Sequence, residues 1–113
     1  MKIKTNELSG VDLDWAVAKC EVGEDISEID DPHFYSTDWA IGGPIIDGEG
    51  ISVIYYGTFG RNGPWEASRN GDTHYIDQYP GDGTAGPTAL IAAMRCYVAS
   101  KLGDEVDVPE ELK

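Results

Sequence analysis

The stretch ISVIYYGTFGRNGPWEASR, residues 51–69, carries the pattern of two β-strands joined by a turn. Its first half is rich in β-branched and aromatic side chains, which are typical of a β-strand over residues 51–59. A turn rich in glycine, asparagine and proline separates it from a second predicted strand over residues 65–68. The Asn-Gly-Asp run at 70–72 predicts a hairpin turn into a third strand over residues 73–79. The middle of the chain is therefore predicted to form an antiparallel meander.

A helical pattern precedes the predicted strands. Apolar side chains recur at i, i+3, i+4 and i+7, the spacing of one buried helix face. These side chains are Leu13, Ala16, Val17 and Cys20. A period-two alternation over residues 1–5 predicts a short strand before this helix, and residues 37–47 predict a short, interrupted helix after it. In that short helix Ser36 or Thr37 is placed to cap one turn, and Pro44 favours a second start.

The longest helix is predicted near the end of the chain, over residues 87–102. A glycine-rich loop at 81–87 leads into it, and Pro87 suits its first helical position because that position needs no backbone N–H. Gly103 is the expected stop. One register of side chains predicts the apolar face: Leu90, Met94, Tyr97, Val98 and Lys101, with Ile91 beside them.

Together these patterns predict an α+β fold with a small antiparallel sheet of three to four strands. Two main helices, which start near Leu13 and Thr88, are expected to pack on the sheet, with one short helix nearby. Residues 1–103 are expected to form a single α+β domain, and residues 104–113 an acidic C-terminal tail that is extended or frayed. A domain of this size buries a modest core, so we expect it to form a homo-oligomer.

The chain is strongly acidic. Its 113 residues include 8 lysines and arginines against 21 aspartates and glutamates, which gives a formal net charge of −13. That balance argues against direct binding to nucleic acid or to an anionic membrane, because such binding begins with cations that neutralise phosphate. No apolar run approaches the roughly 18–20 residues of a membrane span, and the first residues lack the apolar core of a signal peptide. We therefore expect the protein to stay in the compartment where it is made.

A run of aromatic and polar side chains at 35–39 is the first candidate ligand site. Tyr35 and Trp39 offer faces that stack on a nucleobase, while Ser36 and Thr37 offer hydroxyls for ribose or base edges. The alternative is a capped turn in which Trp39 fills the core. The residues leave both interpretations open.

A second set of residues suits an anion. Arg61 and Arg95 are placed to meet phosphate in an otherwise acidic chain, and Trp65 is close to Arg61 in sequence. Thr88 stands where the glycine-rich loop opens the long helix, and the unpaired N–H groups of a helix N-terminus bind phosphate. The alternatives are arginines paired with surface acids and a loop whose glycines only relieve strained backbone. We predict a small nucleotide-like ligand between residues 35–39 and the start of this helix.

Catalysis and metal binding have little support in the sequence. His74 lies close to Asp72, but no nucleophile is identified for them to activate. His33 follows acidic residues, a pattern that usually belongs to a solvated loop. Cys20 and Cys96 are interpreted as reduced, partly buried thiols. We predict no catalytic residue, no metal and no cofactor.

Several stretches resemble the NinX-like proteins of tailed bacteriophages. They are LDWAVA (13–18), YSTDW (35–39), GGPII (42–46) and LIAAMRCYVASK (90–101), and with the opening strand they span nearly the whole chain. The Tyr-Ser-Thr-Asp run before a helix is also similar to small phage domains described as an α-β-α sandwich. The NinX-like resemblance implies a phage accessory protein made in the cytoplasm of the infected bacterial host. It carries over no catalytic residue, because the function of the family is unknown.

By analogy with small phage accessory proteins, we expect an anti-defence role. The leading hypothesis is a non-enzymatic protein that binds and sequesters a nucleotide-derived immune signalling molecule. The alternative is an acidic DNA mimic or protein-interaction inhibitor of a host defence protein, for which a net charge of −13 suffices. An enzyme that cleaves the signalling molecule ranks third.

Overall fold

The computed structural model describes residues 1–22, 34–57, 63–69 and 84–109. Over these ranges the chain has a mixed α+β fold, as predicted. The helices of this part are α1 (Gly10–Val22), α2 (Trp39–Glu49) and α3 (Ala89–Leu102). The strands are β1 (Lys2–Lys4), β2 (Ile51–Tyr55), β3 (Trp65–Arg69), β4 (Thr84–Gly86) and β5 (Glu105–Asp107), and a single 3-10 turn, Thr5–Glu7, follows β1.

Strands β2, β3 and β4 form an antiparallel sheet with β3 between the other two. Val53 lies opposite Ala67 and Tyr55 opposite Trp65, so the predicted pairing of the first two strands is confirmed. Ala67 is only 1% exposed, which places this face of the sheet in the core. The hairpin turn and third strand predicted over residues 70–79 lie outside the described residues.

Strand β4 corrects one prediction, because part of the glycine-rich loop at 81–87 belongs to the sheet. Its backbone pairs with β3, and Gly86 lies opposite Trp65. Helix α3 packs directly on Gly86, since a Cβ atom built there would lie 2.7 Å from the backbone nitrogen of Ala92. The glycine therefore serves the close approach of a helix to a strand. Composition alone does not distinguish this use of glycine from a loop.

Helix α3 contacts the sheet, α1 and α2, so it forms the centre of the described fold. Its predicted apolar face is confirmed for Leu90, Met94, Tyr97 and Val98, which are all buried. Lys101, which shares their register, is exposed. A lysine in the last turn of a helix instead offsets the negative end of the helix dipole.

Flanking residues set both ends of α3. The Thr88 hydroxyl caps the first turn by accepting a hydrogen bond from the N–H of Ile91 at 3.1 Å. Pro87 therefore lies outside the helix rather than at its first position, because the capping hydroxyl fixes where the helix begins. Gly103 ends the helix as predicted, with a φ of 88° that favours glycine.

Helix α1 confirms the predicted buried stripe. Leu13, Ala16 and Val17 are fully buried, and Cys20 is half-buried. The helix also buries Asp14, at 4% exposure, so its covered face is wider than the apolar spacing predicts. Another element has to supply partners for this carboxylate, because a buried charge without partners is costly.

Helix α2 is continuous, which corrects the prediction of a short, interrupted helix. Asp38 is its N-cap and accepts a hydrogen bond from an N–H of the first turn at 3.0 Å, so neither Ser36 nor Thr37 caps it. Pro44 lies inside the helix, where it has no N–H to donate. The packing of α2 against α3 compensates for that lost hydrogen bond, since tertiary contacts supply most of the stability of protein helices.

Strands β1 and β5 form a separate antiparallel ribbon. Val106 and Val108 are buried, at 3% and 0% exposure. Of the two states predicted for the acidic tail, residues 105–107 adopt the extended one. The packed body reaches Val108, beyond the boundary that the sequence placed at residue 103. Acidic and apolar residues alternate here with the period of a strand that has one buried face.

Candidate functional site

A buried hydrogen-bonded pair ties the turn before α2 to α1. Ser36 is 1% exposed, and its backbone N–H and its hydroxyl both donate to Asp14 Oδ1, at 2.8 and 2.7 Å. These bonds give the buried Asp14 carboxylate the partners it requires. Ser36, which the sequence predicted as a donor to a ligand, donates to this core carboxylate.

The same turn presents two aromatic side chains to solvent. Phe34 is 59% exposed and Trp39 is 55% exposed, although both are large and apolar. Of the two interpretations left open for Trp39, the structure excludes the one in which Trp39 fills the core. Tyr35 is half-buried against the core, and Thr37 is exposed. We call residues 34–39 the aromatic turn.

The aromatic turn leads into a helix that lies against the start of α3. Gly42, in the first turn of α2, is the point of contact: a Cβ atom built on it would lie 2.8 Å from Leu90 Cδ1. Thr88 is exposed at the same end of α3. Trp65 approaches this helix start from the sheet, since it lies opposite Gly86. The structure therefore brings together three of the segments that the sequence predicted as a ligand site.

Arg95 points into the core rather than toward that region. It is 9% exposed, and it donates from Nε to the Leu8 carbonyl at 2.7 Å and from Nη1 to the Ala85 carbonyl at 3.0 Å. Burial lowers the pKa of Arg95. The two bonds and the burial of the guanidinium give Arg95 a role in the core, and they leave little of it accessible to a phosphate. Arg61, the other predicted phosphate partner, lies outside the described residues.

A cleft that runs along α2 from Ile41 to Glu49, beside the last turn of α1, is a second candidate site, and sequence reasoning missed it. Its volume is about 210 Å³. The residues that line it are Ile41, Pro44, Ile45 and Gly48, with Glu21 and Glu49. The first four have the i, i+3, i+4, i+7 spacing of one helix face, a signal that the sequence contains. No local sequence pattern indicates that Glu21 lines the cleft, because its position there depends on how α1 packs beside α2.

Carboxylates and one ammonium group set the electrostatics of the cleft. The Tyr97 hydroxyl donates to Glu21 Oε2 at 2.6 Å, and Lys101 Nζ lies 3.8 Å from Glu49 Oε1. Burial first, and then the charge of Glu21, raises the pKa of the Cys20 thiol to about 11. The thiol is therefore protonated at neutral pH and is a poor nucleophile. The cleft therefore combines two carboxylates and one ammonium group with a thiol that is unreactive at neutral pH.

Two other classes of site find no support in the described ranges. No three histidine, cysteine or acidic side chains of this part converge to hold a metal ion. None of its helices is both long and apolar enough to cross a membrane. His33, Asp72 and His74, which the sequence analysis considered for metal binding or catalysis, lie outside these ranges.

The family described as "Bacteriophage P22, NinX" matches residues 4–101 of this chain. The chain belongs to that family. The match confirms the NinX-like resemblance and spans α1, the aromatic turn, α2 and nearly all of α3. No curated protein matches the chain. This NinX family member is therefore a phage protein, and both of its candidate sites lie within the matched residues.

Proposed function

We propose that this phage protein acts without catalysis, by binding a basic region of a host defence protein in the cytoplasm of the infected cell. The observation that carries the proposal is the 55% exposure of Trp39 on an acidic protein. Tryptophan is enriched among the residues that dominate the binding energy of protein interfaces. Acidic Asp38 lies directly beside it, which suits an apolar anchor with a charged rim.

Hydrogen bonds within the chain hold the aromatic turn. Ser36 is bound to Asp14, and the Phe34 carbonyl accepts hydrogen bonds from the N–H groups of Thr37 and Asp38 at 3.2 and 2.8 Å. A turn that is already ordered loses less conformational entropy when it binds. Its exposed aromatic rings are therefore suited to serve as an anchor.

The surface charge indicates a basic partner. Exposed acids lie on several elements of the described part: Glu7, Asp38, Asp47, Asp104 and Glu105. Two of the described lysines already have partners within the chain, because Lys101 lies near Glu49 and Lys19 lies 5.3 Å from the centre of the Trp15 ring. Complementary charge accelerates association and selects between partners.

A comparison of two exposed aromatic residues tests the proposal. Trp39→Ala removes the anchor, and Tyr55→Ala is the matched control because Tyr55 is 62% exposed on the sheet. Tagged variants are isolated from infected, defence-competent cells, and host proteins are quantified by mass spectrometry. We expect the wild type and Tyr55→Ala to retain a host protein that dissociates as the salt concentration rises. Trp39→Ala is expected to retain at most about one tenth as much of that protein. Equal retention by Trp39→Ala, with folding verified by circular dichroism, would contradict the proposal.

Sequestration of a nucleotide-derived signal is the second candidate, and the surroundings of Trp39 favour it. The contact of Gly42 with Leu90 sets the first turn of α2 beside the N-terminus of α3. One ligand there is expected to meet both an aromatic face and helix amides. Arg95 is bound within the core, so the phosphate of such a ligand would rely on those amides and on Arg61.

Mass spectrometry of the small molecules released by heat separates the two candidates. An intact nucleotide from protein purified out of infected cells, bound also in the presence of EDTA, supports sequestration. A nucleotide of altered mass indicates an enzyme. Light scattering on the same samples tests the proposed homo-oligomer.

A further inference from the structure

We propose that the cleft along α2, beside the last turn of α1, binds a long cationic side chain, an arginine or a lysine, of the host protein. This inference rests on the proposed function, because the cationic side chain belongs to the basic partner proposed above. It concerns residues outside the aromatic turn, so the two can be tested separately.

The cleft has the size and the lining of a site for one side chain. Its volume of about 210 Å³ is below the roughly 300–1,000 Å³ of pockets that hold drug-sized ligands. Ile41, Pro44 and Ile45 give it an apolar wall. At Gly48, no atom lies within 4 Å of a Cβ position, so the wall is open there. Arginine and lysine lay their aliphatic stems along such surfaces and keep the charged head beside polar groups.

Two carboxylates stand where the helices already carry negative partial charge. Glu21 lies in the last turn of α1, and Glu49 is the last residue of α2. A carboxylate at a helix C-terminus is repelled by the unpaired carbonyls there, so both glutamates oppose the stability of their own helices. A cation from a partner relieves that repulsion. Residues that break a local rule in this way are expected at functional sites.

Lys101 already places an ammonium group at the rim of the cleft. Its Nζ lies 3.8 Å from Glu49 Oε1, with the two side chains 44% and 27% exposed. Such a partly exposed ion pair contributes little, so an incoming guanidinium competes for Glu49 at small cost. The Tyr97 hydroxyl orients Glu21 at 2.6 Å. Burial first, and then the charge of Glu21, raises the pKa of Cys20, while Lys101 and Lys19 lower it and Glu49 raises it by less.

Gly48 provides a variant that fills the cleft without changing its charge. Gly48→Leu places a side chain in the open space and replaces glycine by a better helix former, so α2 is expected to remain folded. Ala40→Leu is the matched control, because it adds apolar volume at an exposed position of the same helix outside the cleft. The probe is an amidated hexa-arginine peptide, and a hexacitrulline peptide is its uncharged counterpart.

Calorimetry at low salt and amide chemical shifts measure the binding. For the wild type and Ala40→Leu we expect hexa-arginine to shift the amides of residues 41–49 and hexacitrulline to leave them unchanged. Gly48→Leu is expected to bind hexa-arginine about tenfold more weakly. The double variant Glu21→Gln/Glu49→Gln is expected to lose a similar factor, while Glu7→Gln/Glu105→Gln, which removes the same charge elsewhere, loses less.

Two results overturn the inference. One is equal affinity of Gly48→Leu and the wild type for hexa-arginine. The other is an equal loss in the two double glutamine variants, which would mean that only the total charge matters. Failure of the proposed function has a different signature, because it is the absence of a host protein whose retention depends on Trp39, whatever the cleft variants do.

Discussion

The amide and the hydroxyl of Ser36 both donate to one carboxylate oxygen of Asp14, at 2.8 and 2.7 Å. Both residues are buried, at 1% and 4% exposure. This contact fixes the aromatic turn against α1, so the exposure of Trp39 depends on hydrogen bonds made inside the core. A hydrogen bond to a charged group contributes about 1.5–3 kcal/mol.

Ser36→Ala is expected to lower the free energy of unfolding by about 1.5–3 kcal/mol, because the hydroxyl bond is lost. Asp14→Ala is expected to cost more, since both Ser36 donors are then left buried without their acceptor. Urea denaturation measures both. Glu7→Ala, at an exposed acid, is the control and is expected to stay within about 0.5 kcal/mol of the wild type. An equally small loss of unfolding free energy in Asp14→Ala and Glu7→Ala would contradict the described contact between Ser36 and Asp14.

Two glycines of α2 are expected to respond to alanine with opposite signs. Gly42→Ala forces a methyl group against the Tyr35 carbonyl oxygen and to within 2.8 Å of Leu90 Cδ1, and is expected to destabilise the protein by about 1–3 kcal/mol. Gly48→Ala meets open space and is expected to stabilise it by about 0.5–1 kcal/mol. Thermal or urea unfolding decides the matter. Changes of the same sign would contradict the described packing of Gly42 against Tyr35 and Leu90.

Arg95→Lys tests whether this arginine serves the core or a ligand. An ammonium group does not reproduce the guanidinium fork that reaches the Leu8 and Ala85 carbonyls, so the free energy of unfolding is expected to fall by about 1–3 kcal/mol. Urea denaturation measures this loss. Unchanged stability, together with lost binding of a nucleotide, would return Arg95 to the role that the sequence predicted.

Cys20 is expected to react slowly with iodoacetamide. Its pKa is raised from an ordinary value of 9.0 to about 11, so at pH 8 its reactive thiolate is rarer by about a hundredfold than in the unfolded chain. The rate is expected to rise with pH until about 11. The unfolded chain loses the thiol proton at a lower pH than the folded chain does, so the free energy of unfolding falls as pH rises from about 9 to 11. Mass spectrometry of native and urea-unfolded protein gives the rates; equal rates at pH 8 would contradict the shift.

The elements that local patterns encode were predicted correctly, and those that depend on distant contacts were not. Helices α1 and α3 follow their apolar periodicity, and β2 and β3 follow their β-branched and aromatic content. The interruption predicted at Pro44 and the loop predicted at Gly86 are wrong for one reason. In both places packing against α3 determines the local structure, and no neighbouring residue in the sequence reports that packing.

The candidate site shows the same division. Ser36 and Arg95 have the chemistry of ligand-binding residues, but their partners Asp14 and Leu8 lie 22 and 87 positions away in sequence. The chemistry of these side chains can therefore be predicted from local sequence, but the direction in which they point cannot. The exposure of Trp39 and the placement of Glu21 beside α2 are likewise set by tertiary packing, so no local sequence pattern indicates either feature.

Native mass spectrometry of the protein isolated from infected, defence-competent cells determines the mass of whatever the protein carries. We expect a complex heavier by one host polypeptide with a basic region, lost on raising the salt concentration and absent for Trp39→Ala. A complex heavier only by the mass of a nucleotide, with no host polypeptide in the wild type, would contradict the proposed function.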